Sequence, residues 1–213
     1  VSDAAGRSTY LDGGIRFYGL DPATGRIVHR GRIEGPHRRV DGERDLAFFV
    51  PGANSDVLVS EGDAIYMRQK KLTPQLEEVQ PKVLSSKGEA DVGLHVFSTS
   101  GLLDGSWYNR TFWMYSKRWP GFQLANQSPK AGQLLVVDEE NTYALKVYHR
   151  RNVHSTMFFP GREGYLLFAD KNDNEPVLDS RTRGTTKGWG FTRRDPPVWH
   201  DWVPVRVRAM VLA

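Results

Sequence analysis

The feature that most constrains this chain is the stretch from Gly14 to Glu34, GIRFYGLDPATGRIVHRGRIE, which reads as a β-hairpin. Ile15 and Phe17 alternate with polar neighbours up to Leu20, the turn residues Asp21, Pro22, Thr24 and Gly25 interrupt, and Ile27 to Ile33 run out again. Pro22 fixes φ for a turn and Gly25 tolerates positive φ, so the punctuation has a physical cause. The theme recurs. Val57 to Gln69 holds two short runs around Glu61-Gly62-Asp63, His95 to Tyr115 brackets an LLDG turn, and Gln133 to Tyr148 brackets Asp138 to Asn141. Turn centres near residues 23, 62, 104 and 140 lie at roughly the period of a four-stranded propeller blade.

Further strands are expected over Asp45–Pro51 (LAFFV), Gly164–Asp170 and Val203–Leu212. Between the hairpins, Gly35–Arg44 reads as a surface connection, and Lys70–Gly93 as an exposed insertion or long loop with room for a short helix. Lys171–Gly190 reads as a polar, Gly-rich passage. With 21 Gly, 12 Pro and no long helical apolar periodicity, the class expected is all-β.

The DPATG turn between short β-branched and aromatic strands resembles the blade hairpin of pyrroloquinoline-quinone-like (PQQ-like, quinoprotein dehydrogenase-like) β-propeller repeats. The stretch Gly101 to Leu145 resembles a planctomycete-type subgroup of those proteins. The resemblance implies four-stranded antiparallel blades, here an incomplete ring of about four to five. Residues 1–213 would then be one propeller segment. The chain starts at Val1 without Met and stops at Ala213 inside an apolar run, so both ends are expected to be cuts in a longer protein. The resemblance also implies an extracytoplasmic location.

Composition narrows the chemistry. There is no cysteine, which removes disulfides, thiolate metal sites and a cysteine nucleophile from this segment. The net charge of +4 is spread along the chain without a basic stripe, so nucleic acid is not an expected partner. No stretch reaches about 18 continuous apolar residues, so no transmembrane helix is expected.

The densest local feature is the aromatic run Trp107, Tyr108, Phe112, Trp113, Tyr115, Trp119 and Phe122, interleaved with Arg110, Lys117 and Arg118. Such rings either stack on a sugar or planar cofactor or fill the space between sheets. Trp107, Arg110, Trp113 and Trp119 are the ligand-binding candidates. Asp170 to Glu175 offers alternating oxygens as calcium loops do, yet it lacks the required Gly and has Arg181 where a bidentate Glu belongs, so it reads as a solvated turn and no metal site is expected. The histidines at 29, 37, 95, 149, 154 and 200 lack metal-ligand spacing.

The leading functional expectation is a non-catalytic ligand-binding or protein-assembly module, with a protein or polysaccharide partner and no cofactor. The alternative is an enzyme. A quinone-dependent alcohol or sugar dehydrogenase would need PQQ with Ca²⁺, and the family's quinone sites use a Trp floor, acidic and amide calcium ligands and often a vicinal disulfide, for which this chain offers neither Cys nor a matching ligand set. A propeller-type polysaccharide lyase would gather His154, Tyr143 and Arg110 from separate strands.

Overall fold

A computed structural model describes residues 2–4, 15–33, 57–86, 88–99, 112–121, 124–146, 162–178 and 192–213. Among these the fold is all-β, with antiparallel pairing throughout and a short 3-10 helix at Ala125–Gln127. The chain divides into two compact units, one formed by residues 1–81 with 100–109 and the other by 82–99 with 110–213.

The first unit holds two sheets. One has the order β1 (Ser2–Ala4), β2 (Ile15–Leu20), β3 (Ile27–Ile33). Its β2–β3 hairpin is the one the turn chemistry predicts. Asp21 Oδ1 accepts from the amides of Ala23 (3.0 Å) and Thr24 (2.8 Å) and from the Thr24 hydroxyl (2.8 Å). Gly25 takes φ 70° and its amide returns to the Asp21 carbonyl at 2.8 Å. The second sheet runs β4 (Leu58–Glu61), β5 (Ala64–Met67), β6 (Lys70–Leu72), β7 (Glu78–Val79). Ile15, Phe17 and Ile33 from one sheet share a single buried cluster with Met67 and Leu72 from the other and with Leu76 between β6 and β7.

In the second unit the orders are β8 (Lys82–Val83), β9 (Ala90–Ser98), β10 (Trp113–Trp119), β11 (Ala131–Gly132), and β12 (Leu135–Val137), β13 (Asn141–Leu145), β14 (Tyr165–Lys171), β15 (Trp199–Val203). These two sheets share a joint. Ala131 and Gly132 pair with Met114 and Trp113 of β10, the Gln133 amide then donates to the Leu145 carbonyl at 2.7 Å, and Leu135 pairs with Ala144 of β13. The chain over 131–137 thus passes, through a bend at 133–134, from the edge of one sheet to the edge of the next.

The structure corrects several expectations. Lys70–Gly93 is no exposed loop: β6, β7, β8 and the start of β9 lie in it, Leu72 is in the core, and buried Lys70 pairs with Glu78. Strands this short carry no readable alternation. Val203–Leu212 does not open a new sheet, because β15 ends at Val203 and no strand follows it. Among the described residues, the turn at 21–26 joins β2 to β3, that at 62–63 joins β4 to β5 and that at 138–140 joins β12 to β13. The expected strand at Asp45–Pro51 and the LLDG turn lie outside the described residues.

Candidate functional site

Of the aromatic candidates, Trp107 and Arg110 lie outside the described residues. Trp113 is half-buried at the start of β10. Trp119 is 7% exposed and packs edge-on to Phe97 (centroids 5.9 Å) within the cluster of Val92, Phe112, Met114, Ala125 and Ala131. Strict alternation along WMYSKRW would set Trp119 on the Trp113 face. A register shift between Ser116 and Arg118 moves it to the Met114 face instead, as bulges do. Trp119 is a core residue, and its ring offers no open floor to a planar ligand.

The run Asp170–Glu175 is not a solvated turn either. Asp170 is 1% exposed, with its oxygens taken by Arg193 and by Asn174 Nδ2 (2.9 Å). Asn172 Oδ1 accepts from the Thr142 hydroxyl at 2.7 Å, and Glu175 is bound by donors of β10 and Lys130. The carboxylates of Asp170 and Glu175 and the amide oxygen of Asn172 are thus committed to protein donors and are not free to serve as calcium ligands. Among the described residues no group of three or more His, Asp or Glu is placed to hold a metal ion. His95 is fully buried, its Nδ1–H donating to the Gly93 carbonyl at 2.8 Å, while His29 and His200 are exposed. His37, His149 and His154 lie outside the described residues, so the lyase set is represented only by Tyr143.

One face of the β12–β15 sheet carries a partly exposed aromatic row over buried Ala169 and Leu145. Side chains alternate across the sheet. Thr142, Ala144, Leu166, Phe168 and Asp170 are buried on one face. The other face carries a row set by register: Val136 opposite Tyr143, Tyr143 opposite Ala169, Ala169 opposite Trp199. Ala169 is small enough for the flanking rings to approach across it, and Tyr143 and Trp199 meet at 6.1 Å and 44°. The next positions on this face are Leu167 opposite Asp201, and Tyr165 opposite Val203. Trp199 is 41% exposed, and Trp202 on the opposite face of the same strand 37%. β15 is an edge strand bounded by Pro197 and Pro204, which keep it short.

Polar groups fix this row. Asp138 Oδ1 accepts from the amides of Glu140 (2.9 Å) and Asn141 (2.7 Å), and Oδ2 accepts from the Tyr143 hydroxyl (2.9 Å). The backbone donors of Asn141 and Glu140 hold the Asp138 carboxyl below its usual pKa, and the bond to Asp138 raises that of the Tyr143 phenol. Tyr143 is therefore a protonated, oriented ring. Behind the row, Arg193 lies over the Phe168 ring at 5.3 Å and pairs with Asp170, both nearly fully buried.

Reading the sequence for aromatic density points to 107–122 and misses Trp199 and Trp202. Their signal, two Trp bracketing His200-Asp201 between prolines, is local, but the row with Tyr143 depends on a register between residues far apart in sequence. Among the described residues no helix is long and apolar enough to cross a membrane. Comparison of the chain with protein-family models, with curated proteins and with solved structures finds no match in any of the three.

Proposed function

We propose that this chain is a non-catalytic ligand-binding or assembly module of an extracytoplasmic protein, its four antiparallel sheets serving as blades of a PQQ-like β-propeller. The observation that carries the binding reading is the Val136–Tyr143–Ala169–Trp199 row, an oriented aromatic face beside an exposed edge strand. The charged groups behind it support the non-catalytic part. Asp170, Arg193, Glu175 and Lys130 are consumed in internal pairs, whereas a catalytic acid, base or nucleophile must face its substrate.

Ring faces of Trp and Tyr bury large area at low entropic cost and accept either a sugar ring or a protein side chain. The test is a thermal-shift series on the chain and on Trp199→Ala, with neutral and acidic polysaccharides and with PQQ plus Ca²⁺. Binding to the folded state raises Tm by mass action. The expected result is a polysaccharide-dependent rise that Trp199→Ala loses while its own Tm stays within a few degrees of the parent. A rise with PQQ and Ca²⁺ that survives in Trp199→Ala would replace this reading with the dehydrogenase one. Polysaccharide cleavage would replace it with the lyase.

A further inference from the structure

The register shift in β10 leaves the amides of Lys117 and Arg118 without the regular ladder, and both point at one carboxylate. Glu175 Oε2 accepts from the Ser116 hydroxyl at 2.6 Å, the Lys117 amide at 3.0 Å and the Arg118 amide at 2.8 Å. Its Oε1 accepts from Lys117 N at 3.1 Å and from Lys130 Nζ at 2.7 Å. The Lys130 ammonium also donates to the Asn172 carbonyl at 2.5 Å.

Three features show that the donors form a built site. Lys130 is 0% exposed, and a buried ammonium is tolerated only against an anion and further acceptors. Its backbone sits at φ 54°, a left-handed conformation costly for a residue with a Cβ. Tyr115 secures it from the other side, its amide donating to the Lys130 carbonyl at 3.1 Å and its ring lying 5.7 Å from Nζ. Adjacent amides converging on one point are an anion-binding geometry. A planar group with two oxygens fits this one, one oxygen turned to the bulge and the other to the ammonium.

We infer that the Ser116–Arg118 bulge together with Lys130 is a carboxylate-binding site which the chain fills with its own Glu175, and which accepts a small free carboxylate, of the size of formate or acetate, when that side chain is removed. The donors come from β10 and from Lys130, just before β11, more than forty residues from Glu175. The Glu175 side chain is 16% exposed, so the site opens to solvent. One buried cation and neutral donors match a monoanion better than a phosphate dianion.

The experiment measures Tm for the 213-residue chain and for Glu175→Ala, each in sodium formate, sodium acetate and sodium chloride at matched ionic strength. Glu175→Ala is expected to lose roughly 5–10 °C, as several charge-assisted bonds are removed and a buried ammonium is left without its anion. Formate or acetate at about 100 mM should restore roughly half of that loss where chloride does not. Adding Lys130→Met to Glu175→Ala should abolish the rescue. Equal restoration by chloride, or none by either carboxylate in a folded Glu175→Ala, overturns the inference. Should Glu175→Ala fail to fold, Glu175→Gln decides, because it keeps the shape and removes the charge: a loss of several degrees supports a carboxylate site, and a Tm equal to the parent's overturns it.

Discussion

At the scale of the residue, this chain uses aspartate and lysine as internal fasteners. Asp21 and Asp138 each fold one carboxylate oxygen back onto the amides two and three residues ahead, so both corners are held by the same local device. That chemistry is short-range, which is why the β2–β3 and β12–β13 turns can be read directly from the chain. Lys146, just after β13, is a different case. Burial first, then repulsion from Arg193, pushes its amine down to about 8. Below that pH the folded chain must hold a desolvated ammonium that the unfolded chain solvates freely. Between about 8 and the ordinary value of 10.5 the folded form has shed a proton that the unfolded chain keeps, so this group makes stability rise with pH across that window. Lys146→Met should therefore be more stable than the parent at pH 7, by up to about 3 kcal/mol, and the difference should shrink steadily from pH 8 to 10.5. Urea midpoints of the two proteins across that range check it. A constant difference would mean that Lys146 does not titrate as its surroundings demand.

At the scale of the element, the joint between the two sheets of the second unit rests on close backbone approach. A Cβ built on Gly132 would stand 2.6 Å from the Leu145 carbonyl oxygen and 2.9 Å from the Ala144 Cβ, both on β13. Backbone cannot yield there without opening the run over 131–137. Gly132→Val should cost roughly 1–3 kcal/mol by overpacking, lowering the urea midpoint and exposing the amides of Gln133 and Leu145 to exchange. A midpoint equal to the parent's would show that the run moves freely between the sheets.

This joint also marks where sequence reading stops. The hairpin at 15–33, the strand at 165–171 and the Asp138 corner are legible because alternation and turn residues act within a few positions. The strands β6, β7 and β8 are two or three residues long, and what holds β6 is a pair between Lys70 and Glu78 together with the core position of Leu72. A buried lysine in a polar stretch reads as surface until its partner is known. Alternation along β10 holds until the register shift inverts it, and that shift, which no local pattern announces, is what sets Trp119 in the core with Met114. Glu175 was legible as an acidic turn residue, but its partners are 45 to 59 residues away, beyond any local pattern. The Tyr143–Trp199 row likewise exists only through register.

At the scale of the whole molecule, the two units have separate apolar clusters, and that separation has a measurable consequence. Ile15, Phe17, Ile33, Met67, Leu72 and Leu76 form one, while Val92, Phe97, Phe112, Met114, Trp119, Ala125 and Ala131 form another. Phe17 and Met114 are both fully buried within them. Truncating a buried Phe or Met to Ala typically costs about 2–5 kcal/mol through lost transfer energy and the cavity left behind. Local stability, as amide exchange reports it, follows the cooperative unit in which an amide sits. Phe17→Ala should therefore accelerate exchange in β2, β3 and β5 and leave β9 and β10 protected as in the parent, and Met114→Ala should do the reverse. The contrast is informative because both variants remove side chains of similar burial, so a difference in where protection is lost reflects the division of the chain and not the severity of the substitution. If either variant lowers protection evenly across all of these strands, the two clusters unfold as one cooperative body, and the division seen in the packing has no thermodynamic counterpart.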